Sequence, residues 1–191
     1  MALNANNVMV APTGGVYYDP DGSATPPTGT GSDISAFVDL GYTSEDGVTL
    51  TMPDSGSATS LKAWQNGAVV RILRAAPEDT PTLAVTLIET KLETIELAFG
   101  AAVTQTSDEG GFVVNTNDQR THMALVVDVI DGDQLIRIYA PHAIVTGLDA
   151  INLNGTSAIG YGLTIALEFD QALNGQAQVW MTALKEDDQT P

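Results

Sequence analysis

Few side chains in this 191-residue sequence have the types and spacing that chemistry requires. The only two histidines, His122 and His142, show none of the short spacings that place two imidazoles on one metal ion. Cysteine is absent, which excludes thiolate metal sites, cysteine nucleophiles and disulfides. Neither a phosphate-binding loop nor a Gly-x-Ser-x-Gly motif occurs. We therefore expect no metal site, no cofactor and no enzymatic activity.

Three glutamates, Glu89, Glu93 and Glu96, come nearest to a catalytic carboxylate cluster. Hydrolysis by a carboxylate pair needs one carboxyl in an apolar cleft that raises its pKa. Glu93 and Glu96 instead fall on the polar side of a predicted amphipathic helix, which is typical of a solvated face. A hydrolase built on these residues predicts that Glu93→Gln abolishes turnover of some substrate, whereas a non-enzyme predicts no chemical effect.

Two pairs of aspartates resemble fragments of calcium loops, Asp19 with Asp21 and Asp131 with Asp133. Neither pair continues into the longer loop with a distal glutamate that an EF-hand needs, and turn chemistry explains both.

Trp64 and Trp180 are of the residue type on which sugar rings stack in carbohydrate-binding proteins. A tryptophan in a strand more often packs in a core or at an interface. Aromatic residues make up only 6% of the chain, which weakens the case for a lectin. A soluble carbohydrate- or calcium-binding β-sandwich is therefore the alternative function, and it predicts a monomer whose melting depends on ligand.

The charge of the chain is strongly acidic. With 24 acidic and 7 basic residues the formal net charge is -17, which argues against binding nucleic acid by attraction to phosphate. No lysine or arginine occurs before Lys62. The first third of the protein therefore repels polyanions.

The elements that position these residues are mostly short strands. Length suits one domain, which we place at residues 1–184, followed by an acidic, disordered tail at 185–191. Alternation of apolar and polar residues, bounded by turn residues, predicts strands at 7–11, 15–19, 36–40, 48–52, 61–65, 68–74, 82–88, 111–115, 121–130, 134–145, 161–169 and 178–183.

One helix is predicted at about residues 90–99. Thr90 and Glu93 form a capping box, and Gly100 provides the stop. Leu92, Ile95 and Phe99 form an apolar stripe that must dock on a sheet.

Two connections have clear signatures. Asn66-Gly67 between two strand-like runs predicts a tight hairpin in which both residues have positive φ. Residues 19–32 form a loop rich in Pro, Gly, Ser and Thr, which we expect to be mobile or ordered by a partner.

The fold class that follows is mainly β: an antiparallel β-sandwich or barrel of short strands with one inserted helix. Open sheet edges are normally blunted by lysine, which is scarce here. We therefore expect neighbouring copies of the chain to close the edges.

Four segments, read together, resemble the major tail proteins, or tail tube proteins, of long non-contractile-tailed bacteriophages, especially those of actinobacteria. The segments are LNANNVMVAPTGGVYY (3–18), GYTSEDGV (41–48), KAWQNGAVVR (62–71) and TLAVTLIETKLETIELAFG (82–100). The resemblance implies a small β-sandwich with one helix. Many members of that family carry an extra immunoglobulin-like domain at the C-terminus, and we expect none here. It also implies six-membered rings that stack into a tube, in a virion tail assembled in the host cytoplasm.

The implied partners are other copies of the chain, the tape measure protein, the tail terminator and the distal tail proteins. The resemblance also implies that DNA passes through the lumen without specific binding and that no membrane is involved. Because like charges repel, ring contacts should be apolar and association should be favoured by salt.

The resemblance also implies site residues. Region 41–66 becomes the loop that reaches a neighbouring subunit or ring, and the 3–10 arm and the 19–32 loop serve similarly. The expected contacts are Tyr42, Glu45, Asp46, Lys62, Trp64 and Asn66, and the residues expected to face the lumen are Asp128, Thr164 and Glu168.

Overall fold

The computed structural model describes residues 8–54, 56–75, 79–115 and 120–185 of the chain. These residues form mainly antiparallel strands with one α-helix, as the sequence predicts. No described helix is long and apolar enough to cross a membrane. In chain order the elements are β1 (Thr13–Asp19), β2 (Val38–Asp39), β3 (Thr43–Thr51), β4 (Ala58–Lys62), β5 (Val69–Arg74), β6 (Thr82–Leu87), α1 (Leu92–Phe99), β7 (Thr104–Gln105), β8 (Gly110–Gly111), β9 (Met123–Asp131), β10 (Gln134–Leu148), β11 (Tyr161–Leu167), β12 (Gln178–Met181) and a 3-10 turn (Thr182–Leu184).

Eight strands form one sheet in the order β2-β1-β9-β10-β11-β6-β3, with β12 pairing with β10 outside that path. The long strand β10 pairs first with β9 and β12, and then with β11. Its register shifts between Ala140 and Ala143, where Pro141 cannot donate a backbone hydrogen bond. This bulge divides the sheet into a β1–β9–β10 half and a β10–β11–β6–β3 half.

The two halves share one hydrophobic core, to which the inner faces of both contribute. On β6 the predicted alternation is confirmed, because Leu83, Val85 and Leu87 are buried and the residues between them are not. Val16 of β1 and Leu125 of β9 join the same cluster from the other half. The fold is therefore the predicted antiparallel β-sandwich with one inserted helix.

Strand β11 departs from its predicted one-sided pattern. The residues predicted for the core face are buried as far as the strand extends: Tyr161, Leu163, Ile165 and Leu167. Gly162 and Ala166 on the other face are also buried, although we expected that face to be wet. Phe169 lies beyond the end of the strand and is exposed, so its predicted core position is wrong.

Helix α1 ends as predicted but begins differently. Gly100 adopts φ 67° and closes the helix with its N–H on the Glu96 carbonyl. The residue at the N-terminal cap is Lys91, with no side-chain capping bond. The Thr90 hydroxyl instead lies 3.1 Å from the Tyr161 hydroxyl, so the predicted capping box is wrong.

The predicted apolar stripe of the helix packs on the core through Ile95 and Phe99, but it is not the most deeply buried side of the helix. Thr94 and Ala98 are its fully buried residues, whereas Leu92, Ile95 and Phe99 are only half-buried. The predicted stripe therefore remains partly open in the subunit.

Tyr18 of β1 lies in the core beneath the helix and gives the fold a pH dependence. Burial, and then the Glu93 and Glu96 carboxylates, raise the pKa of Tyr18 to about 12. An unfolded chain releases this proton near pH 10, so the folded state binds more protons between pH 10 and 12 and loses stability there.

Replacing Tyr18 by Phe should therefore flatten the fall in stability above pH 10. This stabilisation is fully present below pH 10, and about 2–3 kcal/mol of it is lost by pH 12. Burial also raises the pKa of Tyr139, so part of the slope will remain. Urea unfolding at pH 9 and 11.5 measures the effect, and an unchanged slope in the variant would contradict it.

The 19–32 loop is ordered by its own chain. Arg137 of β10 donates through Nη1 to the carbonyl oxygens of Gly29 (3.3 Å) and Ser32 (2.8 Å). Asp19 accepts hydrogen bonds from the backbone N–H groups of Asp21 (3.2 Å) and Ala24 (2.6 Å). The loop leads into a second, smaller core cluster on the outer face of the β1–β9–β10 half, built on Phe37, Ala124, Val126 and Tyr139.

The β4–β5 hairpin confirms the predicted reversal at residues 66–67 but not its geometry. Ala63 donates to the Ala68 carbonyl and accepts from the Gly67 N–H, both at 2.8 Å. Only Gly67 has positive φ, at 70°, so the predicted two-residue turn with positive φ at both positions is wrong. The loop spans four residues and places Trp64 in the turn, not in a strand.

Other strand boundaries also differ from prediction. The run at 36–40 forms only β2, and the run at 111–115 forms a strand only at its first residue. Residues 8–11 are not in a strand, and the rest of the predicted 7–11 strand lies outside the described residues, as does 186–191 of the predicted tail. The division into a 1–184 domain and a tail stays a prediction.

Candidate interaction surface

The β4–β5 hairpin stands apart from the main sheet. Its two strands pair only with each other, and every residue of both strands is exposed. Trp64 in the turn is 97% exposed. The other large apolar residues exposed on the hairpin are Leu61, Val69, Val70, Ile72 and Leu73. Contiguous apolar surface of this kind marks an interaction site.

The sequence of β5 explains why the hairpin needs a partner. VVRILR carries apolar residues at both odd and even positions, so both faces of the strand are apolar. Such strands are normally covered on both faces. Here the subunit covers neither face.

The hairpin is also the basic part of an acidic protein. Residues 58–74 hold three of the chain's seven basic residues, Lys62, Arg71 and Arg74, and no acidic residue. Within the described part of the chain these three cations form no hydrogen bond or ion pair, so their charges are free for a partner.

Basic residues in the body of the subunit are used internally. Lys91 donates to the Asp39 carbonyl, and Arg120 donates to the Leu97 (2.8 Å) and Ala98 (2.7 Å) carbonyls at the end of α1. Arg137 is paired with Asp128. Lys185, at the end of the described residues, is the other cation without a side-chain partner there, so three of these four free cations lie on the hairpin.

The six predicted contact residues fall into two groups that the fold separates. Tyr42, Glu45 and Asp46 lie at the start of β3, where all three are exposed and the pairing with β6 is interrupted. The hairpin follows the opposite end of β3 and carries the other three: Lys62, Trp64 and Asn66. Asn66 accepts the Ala68 N–H at 3.0 Å, which gives it a role in shaping the turn.

Gly41 precedes β3 and sits against Glu89. It adopts φ 80°, and a Cβ there would overlap the Glu89 carboxylate. Glu89 Oε2 accepts the Tyr42 N–H at 3.1 Å. Glu89 therefore holds the backbone at the entry to β3.

Replacing Gly41 by Ala should destabilise the subunit by more than the about 1–2 kcal/mol that a left-handed backbone costs an L-residue, because Glu89 must also move. Gly47→Ala is the matched control, since Gly47 has φ 66° and open space around its Cα. Urea unfolding of both variants measures the difference. Equal losses would show that the Glu89 contact contributes nothing.

Among the three glutamates considered as a catalytic cluster, Glu96 and Glu89 have separate partners. Glu96 Oε1 accepts a hydrogen bond from the Val103 N–H at 3.1 Å. Glu89 accepts one from the Tyr42 N–H, just before β3. Glu96 is thus tied to the backbone and half-buried, and its predicted place on a solvated face is wrong. Two of the three glutamates hold separate backbone segments.

Two histidines far apart in the sequence meet at the β10 bulge. His122 lies 2.8 Å from Glu168, His142 lies 3.1 Å from Asp170, and the two rings are 6.1 Å apart. No group of three or more His, Cys, Asp or Glu side chains in the described residues is arranged to hold a metal ion.

The residues predicted to face a lumen do not share a face. Asp128 is only 6% exposed and is bonded through both oxygens to Arg137, at 2.7 Å each. It is therefore not the open carboxylate that we expected. Thr164 and Glu168 are half-buried on the outer side of the other half of the sheet.

That outer side carries a set of small, uncharged residues that we call the threonine face, of which Gly162 and Ala166 are buried. Cross-strand pairing aligns Thr49 with Ala84 and Thr164, and Thr51 with Thr82 and Ala166. Residues paired in this way point to the same side of a sheet. The threonine face comprises Thr49, Thr51, Thr82, Ala84, Thr86, Gly162, Thr164 and Ala166, all small and uncharged.

A family model described as phage tail tube protein matches the chain over residues 1–190. The chain belongs to the phage tail tube protein family. No curated protein matches it. The tail tube subunit is thus a structural protein of the virion tail, as the resemblance implied, and the narrower actinobacteriophage type stays a prediction.

Sequence reasoning missed most of the tail tube subunit's exposed apolar surface. Val69, Val70, Ile72 and Leu73 were assigned to an ordinary strand, although the unbroken apolar run was a usable signal. No local sequence signal indicates that one side of α1 stays partly exposed. Its apolar stripe has the same spacing as the stripe of a helix that is fully covered by a sheet.

Proposed function

We propose that this tail tube protein assembles into rings, six-membered as the resemblance implies, and that the rings stack into the tube through which DNA leaves the virion. The β4–β5 hairpin carries this proposal. An exposed hairpin that is apolar on both faces gains stability only when another molecule covers it. In a tube built from one kind of subunit, the molecule that covers the hairpin is a second copy of the chain.

The threonine face supports a role in lining the conduit. It presents hydroxyl and methyl groups and no lysine or arginine to which phosphate can bind. Glu168 lies just past the end of β11 and adds a carboxylate at its margin. DNA should slide over such a surface, because nothing on it attracts phosphate and the acidic protein repels it at contact range.

Of the residues first expected at the lumen, Thr164 and Glu168 belong to this proposal. Asp128 is no longer part of the proposed lumen surface. The hydroxyl groups of Thr49, Thr51, Thr82 and Thr86 are proposed to face the lumen in its place. The ion pair of Asp128 with Arg137 gives that carboxylate a structural role in the subunit.

The remaining partners follow from the same assembly. A tube of stacked rings encloses a tape measure protein and ends in a terminator at one end and distal tail proteins at the other, as the resemblance implies. Assembly takes place in the host cytoplasm before the tail joins a virion.

Negative-stain microscopy across a series of protein and salt concentrations tests the proposal. Rings or tubes should appear as protein concentration rises, and salt should favour them because it screens repulsion between subunits of net charge -17. Uniform monomers at high protein and high salt concentration would overturn the proposal. Melting that shifts with calcium or a sugar would instead favour the binding-module alternative.

A further inference from the structure

An apolar groove lies beside helix α1. It has a volume of about 610 Å³ and is formed by the half-buried stripe of α1 and the segments around β7, β8 and residues 151–159. Its walls include Ile95, Phe99, Phe112, Ile151, Leu153 and Ile159. The groove is large enough for more than one side chain, since pockets for small molecules have volumes of about 300–1,000 Å³.

The surroundings of the groove are acidic. Asp108 and Glu109 form the turn between β7 and β8, whose residues Gln105 and Gly110 line the groove.

The only charged side chain in the lining is Lys91, and it is bound to the Asp39 carbonyl. An apolar groove with acidic surroundings suits an occupant that is apolar and basic.

The β4–β5 hairpin has that composition. Trp64 lies in its turn. Lys62 and Arg71 lie near the turn, one on each strand. The seven residues from Ala58 to Trp64 extend over about 20 Å at the rise of a strand, enough to reach beyond the subunit's own surface. Tryptophan and arginine are the residues that most often dominate binding energy at interfaces.

We propose that the tip of the hairpin of one subunit binds in the α1 groove of another subunit. The contact joins two different surfaces, so each subunit offers both a hairpin and a groove, and copies associate head to tail into closed rings or open stacks. The apolar groove covers Trp64, and the acidic residues around it face Lys62 and Arg71. This inference rests on the proposed self-assembly and identifies the receiving surface.

Cross-linking between separately purified variants tests the contact, and the absence of native cysteine makes the result unambiguous. Gln65→Cys places a thiol beside Trp64 without removing it, and Leu153→Cys places one at the groove. A mixture of the two proteins, assembled and treated with a short bis-maleimide, should give a cross-linked dimer. Either variant alone should give at least tenfold less.

Leu184→Cys is the control partner, because Leu184 is exposed on the 3-10 turn and not part of the groove. Assemblies in which Gln65→Cys links equally well to Leu184→Cys, or fails to link to Leu153→Cys, would overturn the groove contact and leave the proposed function standing. Absence of rings and tubes in the micrographs of the unsubstituted protein would overturn both.

Discussion

An Arg137→Ala variant should unfold with a free energy about 3–5 kcal/mol lower than that of the native subunit. The substitution leaves the Asp128 carboxylate buried without its partner, and it removes the donor to the Gly29 and Ser32 carbonyls. One side chain thus supports both a buried charge and the 19–32 loop. Urea unfolding followed by circular dichroism, at concentrations below ring formation, measures the loss.

Two further variants separate the charge from the loop contacts. Arg137→Lys keeps the positive charge but cannot bond both Asp128 oxygens and the loop carbonyls together, so it should lie between the native protein and Arg137→Ala. Combining Arg137→Met with Asp128→Leu leaves no buried charge and should recover much of the lost stability. A loss below about 1 kcal/mol in Arg137→Ala would show that the pair is not effectively buried.

A hairpin variant carrying Trp64→Ser, Val70→Ser and Ile72→Ser should fold normally and fail to assemble. All three side chains are exposed, so the unfolding free energy of the subunit should change by only about 0.5 kcal/mol per site. Under the proposed assembly these side chains are interface anchors. Loss of one such anchor costs about 2 kcal/mol or more, which raises the concentration needed for assembly about thirtyfold, and loss of three should raise it further.

Phe169→Ser is the matched control for this variant. Phe169 is 57% exposed and Ile72 is 56% exposed, but Phe169 lies outside the hairpin. Sedimentation velocity and negative-stain micrographs of both proteins give the comparison. Equal loss of assembly in the control, or normal tubes in the triple variant, would show that the hairpin is not the decisive contact.

The parts of the fold that were predicted correctly depend on local chemistry. Alternation over residues 82–88 identified the buried Leu83, Val85 and Leu87, because a strand sends successive side chains to opposite faces. Gly100 ended the helix, because a left-handed residue there is easiest for glycine.

The parts that were predicted wrongly depend on partners distant in the sequence. Thr90 is not a helix cap because Tyr161, on β11, lies beside its hydroxyl. Asp128 is not an open carboxylate because Arg137 lies opposite it on the neighbouring strand. The 19–32 loop is ordered within the subunit because Arg137 donates hydrogen bonds to its carbonyl oxygens. No short window of sequence contains both members of these pairs.

The amino-acid sequence by itself determined the fold class, the acidic charge, the absence of thiol chemistry and the resemblance to tail tube proteins. These properties depend on composition, on the period of a strand or helix, and on short motifs. Only the tertiary structure decided which apolar side chains remain uncovered, because burial depends on the contacts of the whole chain. It left the β4–β5 hairpin and the α1 groove open, and those two surfaces are where we expect one subunit to bind the next.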